Sequence, residues 1–448
     1  MKKYFGTDGV RGVANSSLTP ELAYKLGRIG GYLITRDADN SKQRKFVVGR
    51  DTRLSGEMLE SSLIAGLMSV GIEVIKLGVI PTPGVAYLTR ELKAHGGVMI
   101  SASHNPFEDN GIKFFDHKGY KLSDELEEEF EVLIDSEDTL PRPTGEHVGR
   151  LEIGTHYTKQ FSDFLKSTIK NDFTGIKIAL DCANGAATNI APLLFKELGA
   201  EVITIGNTPT GTNINVNCGS THPENLQKLV IQEKADIGLA FDGDADRLIA
   251  VDKNGNIIDG DQILYVCGVS LHHKGMLKNN TVVSTVMSNF GFKKILDSQD
   301  INNIQTQVGD RYVLEEMMKN DYTLGGEQSG HIIFLNHNTT GDGILSGLQL
   351  VNVLVEEQKT LNELVLPFKK YPQLLVNVKV SNKQGWDQNT SILNSISKHE
   401  KDLNGNGRIL VRASGTENLI RVMAEGETEE IVTSIVENIA NVIQQQIN

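Results

Sequence analysis

Three aspartates alternate with small residues in Asp242-Gly243-Asp244-Ala245-Asp246, directly after an apolar run that ends at Phe241. Glycine and alanine between them let the three carboxylates converge on one hard divalent cation. A turn held by aspartate hydrogen bonds is the alternative, but three carboxylates at the end of a buried strand repel one another unless a cation neutralises them. A calcium EF-hand is excluded, because Arg247 and Lys253 stand where that loop requires Gly and Glu. We therefore predict a Mg2+ site that serves a phosphate, with Arg247 supplying positive charge beside it.

A second candidate is the serine at the centre of Ser101-Ala102-Ser103-His104-Asn105-Pro106, a turn that follows the apolar run Val98-Met99-Ile100. Most serines in such turns do no more than cap them. A Ser-His-Asp hydrolase is conceivable, but adjacent side chains rarely point together and Ser103 lacks the Gly-x-Ser-x-Gly elbow. The hypothesis is that Ser103 carries a phosphoryl group, with His104 orienting or contacting the phosphate. Lys113 follows closely enough to assist a phosphoryl group, and an ordinary solvated lysine is the alternative.

Glu327 and Ser329 lie in a loop framed by Gly325-Gly326 and Gly330. Carboxylate and hydroxyl groups on a glycine-rich backbone suit sugar hydroxyls, whose recognition requires paired donors and acceptors. A plain glycine-rich hairpin is the alternative. His331 is a candidate general acid and base because an unperturbed imidazole titrates near neutral pH, although a lone histidine is more often structural.

The fourth stretch, Arg412-Ala413-Ser414-Gly415-Thr416-Glu417-Asn418, is followed closely by Arg421. Arginines, hydroxyls and a glycine whose amide can turn inward form a phosphate cradle through charge-assisted hydrogen bonds and a backbone nest. A surface turn is the alternative, and two arginines bracketing Ser-Gly-Thr disfavour it. The residues predicted to hold a phosphate are Arg412, Ser414, Gly415, Thr416 and Arg421.

The composition is that of an ordinary globular protein, with 448 residues of which 39% are hydrophobic and 23% are charged. This length exceeds one hydrophobic core and predicts several domains. The net charge of -13 disfavours nucleic acid and anionic membranes as partners, since both reward clustered Lys and Arg. Three widely spaced cysteines suggest neither a disulfide framework nor a zinc site, and no apolar run is long enough to span a bilayer. We expect a cytoplasmic protein, with monomer and homodimer both left open.

Hydrophobic periodicity predicts the elements that position these stretches. Thr19-Pro20 begins one helix and Ser123 caps another, whose glutamates at 127, 128, 129 and 131 are expected on a solvated face. Strand-loop-helix units recur three times, and the chemical stretches follow apolar strands, where open α/β sheets bind ligands. The predicted domains are 1–150 with the phosphoserine loop, 151–253 with the metal loop, 254–368 with the sugar loop, and an α+β domain, 373–448, with the phosphate loop.

Two connecting segments are also predicted to have a role. The polar segment from Asn207 to His222 is long for a connection, so we expect it to be functional or to lie at a domain edge. The segment from Pro367 to Pro372 reads as a linker, and we predict a hinge there that brings the phosphate loop over the site.

Taken in order, the four loops resemble those of the α-D-phosphohexomutase family, and the resemblance covers the whole chain. It includes Phe5 to Gly12, Ile100 to Pro106, Pro209 to Asn215 and Gly325 to His331. The resemblance implies an α/β fold of three consecutive α/β domains with mixed sheets plus a C-terminal α+β domain, around a central cleft.

The resemblance also implies an activity. Phosphorylated Ser103 would donate its phosphoryl group to glucosamine 6-phosphate, and the bound 1,6-bisphosphate would reorient and return its other phosphate to Ser103. The product, glucosamine 1-phosphate, would feed amino-sugar metabolism and peptidoglycan precursor synthesis. The activating phosphate would come from a bisphosphorylated sugar or a kinase.

Residue roles follow from the same resemblance. Glu327 and Ser329 would read the sugar, and Arg11 would lie near the reacting phosphate. The residues implied in catalysis are Ser103, His331, Lys113, Arg11 and Arg247. The implied ligands of Mg2+ are Asp242, Asp244, Asp246 and an oxygen of phosphorylated Ser103.

Three alternatives stay open. Mannose or glucose phosphates could replace glucosamine phosphate as substrates within the family. A metal-dependent sugar phosphatase would share the serine and the metal loop but release inorganic phosphate. A catalytically idle sugar-phosphate sensor is disfavoured, because binding alone requires neither Ser103 nor the acidic loop.

Overall fold

The computed structural model describes residues 3–6, 9–38, 43–414 and 418–447. Within these ranges the chain forms four β-sheets with helices packed against them. The chain divides into two compact units, the first comprising Met1–Val286 and Ile301–Val365 and the second comprising Met287–Asp300 and Leu366–Asn448. Among the described residues, no helix combines the length and apolar character needed to cross a membrane.

The first sheet opens the first unit. Its strands are β1 (Phe5–Gly6), β2 (Gly9–Val13), β3 (Lys45–Arg50), β4 (Glu73–Val79), β5 (Gly96–Ile100), β6 (Asp109–Asp116) and β7 (Leu151–Ile153). The accompanying helices are α1 (Pro20–Thr35), α2 (Gly56–Ser69), α3 (Thr82–Glu91) and α4 (Asp124–Asp135). The strand order is β1-β2-β6-β5-β3-β4-β7, with parallel pairs in the middle and antiparallel pairs on one side, so the sheet is mixed as expected.

The last strand of this sheet lies next to the predicted boundary between the first two domains. β7 lies beyond residue 150, where the first domain was expected to end, yet its backbone pairs in parallel with β4. The turn-rich passage before it therefore returns the chain to the first sheet.

Two helices begin where the sequence predicts. At the start of α1 the Thr19 hydroxyl accepts a hydrogen bond from Leu22 N, and Pro20 occupies the first turn. At the start of α4 the Ser123 hydroxyl accepts one from Leu126 N. Each side chain satisfies an amide that the first helical turn leaves without a partner.

The second sheet carries the acidic loop. Its strands are β8 (Lys177–Asp181), β9 (Glu201–Ile205), β10 (Ile237–Phe241), β11 (Leu248–Asp252) and β12 (Ile257–Ile258), in the order β12-β11-β10-β8-β9. The helices of this part are α5 (Thr158–Ser167), α6 (Ala191–Glu197) and α7 (Glu224–Glu233). Every residue of β10 and β11 is buried, and the two antiparallel strands are joined by the loop that carries the three aspartates.

The third sheet carries the predicted sugar loop. Its strands are β13 (Thr281–Thr285), β14 (Asn302–Thr306), β15 (Leu324–Gly326) and β16 (Ile332–Phe334), in the order β14-β13-β15-β16. The helices along this stretch are α8 (Gly260–His273), α9 (Phe290–Asp297), α10 (Asp310–Asn320), α11 (Gly343–Glu357) and α12 (Leu361–Val365). β15 and β16 pair antiparallel, so the loop 327–331 joins neighbouring strands.

The acidic face of α4 is not uniformly solvated, and this part of the prediction is wrong. Glu127 is only 4% exposed and accepts a 3.1 Å hydrogen bond from Arg311 Nη2 in α10. Glu131 accepts hydrogen bonds from the backbone amides of Lys3, Tyr4 and Phe5. These carboxylates are structural because distant segments of the chain, residues 3–5 and α10, supply their donors.

The second unit is built on a small antiparallel sheet. Its strands are β17 (Gln373–Lys379), β18 (Arg408–Ala413) and β19 (Leu419–Glu425), in the order β17-β19-β18, and its helices include α13 (Thr390–Leu403) and α14 (Glu429–Ile447). The core of this unit includes Ile435, Ile439 and Ile443 of α14, whereas Ile431 in the first turn of that helix is exposed. This is the expected α+β module.

Residues 287–300, including α9, belong to the second unit, although the predicted third domain contains them. The Asn289 amide donates to Tyr371 O (2.9 Å) and to Glu425 Oε1 (3.2 Å), and the rings of Phe292 and Phe368 stack. The segment read as a linker therefore packs against α9.

Candidate active site

Two of the predicted loops meet within the first unit. The Ser103 loop follows β5, and the acidic loop, residues 242–247, follows β10. Ser103 Oγ donates a 2.5 Å hydrogen bond to Asp242 Oδ2. The structure therefore brings together two groups that lie far apart in the sequence.

The three aspartates converge as their spacing suggests. Asp242, Asp244 and Asp246 are 1%, 0% and 5% exposed, and one carboxylate oxygen of each lies within 4.8 Å of the others. Arg247 N donates to Asp242 Oδ1 (3.1 Å), and Thr82 Oγ1 donates to Asp244 Oδ2 (2.6 Å). The turn is thus held partly by hydrogen bonds and concentrates negative charge in a buried space.

The pKa values of Asp242 and Asp244 are shifted in opposite directions. Burial, together with the charges of Asp246 and Asp244, raises the pKa of Asp242 well above its ordinary value. Burial acts in the same direction on Asp244, but the Lys113 ammonium, 2.8 Å from Asp244 Oδ2, outweighs it and holds the pKa of Asp244 well below its ordinary value. Lys113 therefore neutralises one member of the cluster.

The donor set fits a hard divalent cation. Asp244 Oδ1 and Asp246 Oδ1 are buried and accept no hydrogen bond from the described part of the chain. Buried carboxylate oxygens are costly without a partner, and carboxylate oxygens are the ligands that Mg2+ prefers. Asp242, Asp244 and Asp246 would hold the ion, and Ser103 lies beside them.

Ser103 has an unusual backbone conformation. Its φ is 52°, in the left-handed region, and the residue is 2% exposed. Its Oγ lies 3.2 Å from His104 Nδ1. Burial, reinforced by the charges of Arg247 and Arg11, lowers the pKa of His104, which favours the neutral imidazole near pH 7. His104 therefore contacts the Ser103 hydroxyl as a largely neutral side chain.

Three predicted basic residues surround this cluster. Lys113 lies on β6, is 2% exposed and is also 3.8 Å from Asp246 Oδ2. Arg11 lies on β2, opposite Gly111 of β6, and its charge contributes to the low pKa of Asp244. Arg247 Nε lies 3.8 Å from Asp246 Oδ1. Positive charge thus approaches the acidic loop from two strands and from the loop itself.

His331 is buried next to the same loop. It is 3% exposed, and its Nε2 lies 3.9 Å from Asp246 Oδ2 and 3.7 Å from Asp310 Oδ2. Neither ring nitrogen has a hydrogen-bond partner among the described residues. An ideal Cβ on Gly341 would lie 2.5 Å from two atoms of the imidazole, so this glycine lets the backbone pack against the ring.

The other sugar-loop residues are placed less tightly. Glu327 Oε1 accepts a hydrogen bond from Gly309 N (3.1 Å), just before α10. Ser329 is exposed. The loop backbone is fixed on β11, because Leu248 N donates to Gly330 O (3.0 Å), and a Cβ on Gly330 would meet Leu248 O at 2.1 Å.

The predicted phosphate turn lies in the second unit. Arg412 of β18 and Arg421 of β19 are directly opposite one another in the antiparallel ladder. Ser414 is buried, and its carbonyl accepts a 2.6 Å hydrogen bond from Lys383, a cation that the sequence did not single out. Gly415 and Thr416 lie outside the described residues.

Sequence reasoning missed several side chains around Ser103. Thr82 donates a hydrogen bond to Asp244. Asp51, Arg53 and Asn215 support the Ser103 loop through hydrogen bonds. The only local signals were polar residues directly after β3 and the unusual length of the segment 207–222. Neither signal identifies a partner, because the contacts join distant parts of the chain.

Comparison with known proteins finds matches along almost the whole chain. Domains I, II and III of the phosphoglucomutase/phosphomannomutase family match residues 2–141, 155–255 and 259–371, and the C-terminal domain of that family matches 375–442. A curated phosphoglucosamine mutase of Geobacillus thermodenitrificans is 59% identical over 447 residues, covering 100% of this chain and 99% of the relative.

Solved structures agree on the fold. A phosphoglucomutase/phosphomannomutase family protein of Burkholderia thailandensis superposes with a TM-score of 0.81 at 22% identity, covering 99% of this chain and 98% of that one. Aspergillus fumigatus N-acetylphosphoglucosamine mutase, solved with GlcNAc-6P and magnesium, gives 0.69 at 18% identity, covering 100% and 96%. Because the matched domains follow one another along the whole chain and the full-length identity is so high, this protein belongs to the phosphoglucomutase/phosphomannomutase family of α-D-phosphohexomutases.

Proposed function

We propose that this chain interconverts glucosamine 6-phosphate and glucosamine 1-phosphate through a phosphoserine at Ser103. The observation that carries the proposal is the 2.5 Å hydrogen bond between Ser103 Oγ and Asp242, at the edge of a buried carboxylate cluster. Relatives at 56–59% identity over the full chain carry the name phosphoglucosamine mutase, which favours glucosamine over mannose or glucose.

The proposed reaction has two transfers. In the first, the O1 hydroxyl of glucosamine 6-phosphate attacks the phosphorus on Ser103, the Ser103 Oγ–P bond breaks, and the 1,6-bisphosphate forms. The bisphosphate then reorients within the site. In the second transfer, Ser103 Oγ attacks the phosphorus at position 6, the O6–P bond breaks, and glucosamine 1-phosphate and phosphoserine result. Phosphate is conserved over the cycle.

Each transfer moves one proton from the attacking oxygen and returns one to the leaving oxygen. His331 suits this work, since it is buried and its ring nitrogens lack hydrogen-bond partners among the described residues. His104 Nδ1, 3.2 Å from Ser103 Oγ, can share the proton of the serine. Lys113 is a second candidate for proton transfer, but its contact with Asp244 favours a role as a fixed positive charge.

Phosphoryl transfer depends mainly on positioning and charge neutralisation. When bound by the acidic loop, Mg2+ supplies positive charge that offsets the phosphoryl oxygens. Arg11, Lys113 and Arg247 add charge that belongs to the chain. The low exposure of Ser103 limits access of water, which would otherwise hydrolyse the phosphoserine.

Substrate recognition is assigned by the same proposal. Glu327 and Ser329 bind sugar hydroxyls, and Gly309, whose amide contacts Glu327, fixes the carboxylate. The turn around Arg412 and Arg421 holds the phosphate that does not react. In this proposal the four predicted domains carry, in order, the phosphoserine loop, the metal loop, the sugar loop and the phosphate loop. The protein acts in the cytoplasm, and a bisphosphorylated sugar or a kinase supplies the activating phosphate.

The test is a set of coupled assays on glucosamine, glucose and mannose phosphates, with the intact mass recorded first to count phosphates. We expect one phosphate per chain, the highest kcat/KM on glucosamine phosphate and little inorganic phosphate. Ser103→Ala should lose both the phosphate and the activity. A preference for mannose would overturn the substrate assignment, phosphate release at the rate of isomerisation would identify a phosphatase, and full activity of Ser103→Ala would refute the mechanism.

A further inference from the structure

Two carbonyl groups of the Ser103 loop each accept hydrogen bonds from two side chains that arrive from different sheets. Ser103 O accepts from Arg53 Nη2 (2.8 Å) and from Asn215 Nδ2 (2.8 Å). Asn105 O accepts from the same nitrogens, at 2.9 Å and 3.1 Å. The loop is therefore held at the same two atoms from both sides.

Arg53 approaches from the end of β3 and is fully engaged. It is 1% exposed, and besides the two carbonyls above, its Nη1 donates to Pro106 O and to Asp109 O, the latter at 3.1 Å. Its Nε donates to Asp51 Oδ2 at 2.9 Å. All five N–H groups of the guanidinium are thus directed at one carboxylate and four carbonyls, an arrangement that no other side chain can reproduce.

Asp51 extends this support to the serine itself. Ser101 Oγ donates to Asp51 Oδ2 (2.6 Å) and accepts from Ser103 N (2.9 Å). The amide and the carbonyl of Ser103 are therefore both anchored to the buried pair of Asp51 and Arg53. This anchoring offsets the steric cost of a non-glycine residue with a φ of 52°.

Asn215 approaches from the long polar segment 207–222, which the proposed reaction leaves without a role. It is 8% exposed and is held by its own backbone, since Asn215 N donates to Ala183 O (2.9 Å). The acidic loop passes beside it, and a Cβ on Gly243 would lie 2.4 Å from Ser103 O and 3.0 Å from Asn215 Nδ2. The second sheet thus positions both the carboxylates and the amide that grips the serine loop.

We propose that Arg53 and Asn215 are positioning residues that clamp the Ser103 loop, so that Ser103 Oγ faces the acidic loop throughout the reaction cycle. The role of the segment 207–222 is then to align the phosphate carrier of the first sheet with the acidic loop of the second. This inference rests on the proposed function for its kinetic consequence, but the clamp itself is a structural property that can be measured without turnover.

The decisive variant is Asn215→Asp, which keeps the size of the side chain and tolerates a positive φ but places a carboxylate oxygen against two carbonyl oxygens. Asn217→Asp is a matched control, because Asn217 lies in the same segment with a φ of 53° and its side chain is exposed. Arg53→Lys is a second test, since an ammonium cannot bind one carboxylate and four carbonyls together.

Two readouts are compared. Steady-state kinetics on glucosamine phosphate should show kcat of Asn215→Asp reduced by about 100-fold, the effect expected of a misplaced reacting group, with KM changed by less than ~3-fold. Hydrogen exchange should show faster exchange of the amides of residues 103–105 in Asn215→Asp and Arg53→Lys, with protection elsewhere retained. Asn217→Asp should match the parent in both.

The outcomes separate this inference from the proposed function. Loss of protection in a protein that never isomerises sugar phosphates would support the clamp and refute the function. Parental kcat together with parental protection in Asn215→Asp would overturn the clamp while leaving the mutase activity standing. A similar fall of kcat in Asn217→Asp would also overturn the clamp, because it would trace the effect to charge in the segment and not to the contact with Ser103.

Discussion

Ser103 Oγ donates a 2.5 Å hydrogen bond to Asp242 Oδ2, so the proposed phosphate carrier touches a carboxylate of the proposed metal site. The contact joins the end of β5 to the end of β10. Both atoms are buried, which excludes the water that would weaken the contact. Chemistry on Ser103 is therefore coupled to the charge of the acidic loop.

Asp242→Asn tests the acidic loop as a cation site. Removal of one of three converging carboxylate ligands should weaken Mg2+ binding at least ~10-fold, because even changes to outer-shell partners have effects of that size. Calorimetric titration of the unphosphorylated protein with Mg2+ measures this without any activity. Asp236→Asn is the control, since Asp236 caps the other end of the buried strand by accepting from Lys177 N. Equal Mg2+ affinity of both variants would reject the site.

Gly341→Ala tests the packing of His331. The new methyl group would collide with the imidazole at 2.5 Å, so the ring must move. We expect kcat to fall by about 100-fold with little change in KM, as for other displacements of a reacting group. Gly347→Ala is the control because its nearest neighbour is the end of the Leu239 side chain at 3.1 Å. Unchanged kcat in Gly341→Ala would argue against proton transfer by His331.

Arg311→Met tests the buried ion pair with Glu127. Loss of the guanidinium leaves a carboxylate that is 4% exposed without this partner, so we expect destabilisation of about 3 kcal/mol, seen as a lower thermal midpoint. Arg36→Met breaks the exposed pair between Arg36 and Glu129, which lies on the same helix as Glu127, and should lower the thermal midpoint much less. Adding Glu127→Gln to Arg311→Met should recover part of the loss. Equal effects of the two arginine variants would contradict the structural role of Glu127.

Asp342→Asn tests a buried carboxyl that caps α11. Burial raises the pKa of Asp342 to about 7, whereas the unfolded chain has an ordinary value. The folded form therefore keeps its proton after the unfolded form has lost it, and the carboxyl lowers stability increasingly as pH rises from about 4 to 7. The free energy of unfolding of Asp342→Asn minus that of the parent should rise over that interval by up to ~4 kcal/mol and stay level outside it. Thermal midpoints of both proteins recorded across the pH range should show the same trend. A difference independent of pH would mean that the pKa of Asp342 is the same in the folded and the unfolded chain.

Arg412→Ala tests the phosphate turn of the second unit. In the proposed role the Arg412 guanidinium binds the non-reacting phosphate, so its removal should raise KM by about 10-fold to 100-fold, in line with a charge-assisted hydrogen bond of ~1.5–3 kcal/mol. The intact mass should still show the phosphate on Ser103. Lys401→Ala, on an exposed position of α13, should leave KM unchanged. Parental kinetics in Arg412→Ala would remove the turn from the substrate site.

The acidic, sugar and phosphate loops could be proposed from the sequence because the residues that suggest their chemistry are close neighbours along the chain. Alternating aspartates, two arginines around Ser-Gly-Thr and glycines around Glu327 each constrain charge and backbone locally. The same holds for the caps at Thr19 and Ser123, where a side chain contacts an amide three residues later. Local pattern and local structure agree at the two caps.

The contacts that the sequence did not predict share one physical cause. The glutamate at 127 was expected in solvent because helical periodicity cannot show that Arg311 packs against it from a distant helix. The clamp of Arg53 and Asn215 joins residues from two sheets, and the pairing of β7 with β4 depends on a chain reversal that no local pattern fixes. Tertiary partners decide the role of a polar residue, and a single sequence does not name them.

The assignment of residues 287–300 to the second unit has a consequence for synthesis. Asn289 and Phe292 leave the ribosome before Tyr371, Phe368 and Glu425, on which they pack. Domains of long chains generally fold in order as they emerge. Here α9 must wait for both partners, with Phe292 uncovered until Phe368 has been translated and Asn289 without its Glu425 contact until later still. An uncovered apolar ring is an aggregation hazard during that interval, and a truncated product that ends before Phe368 would leave it without this partner.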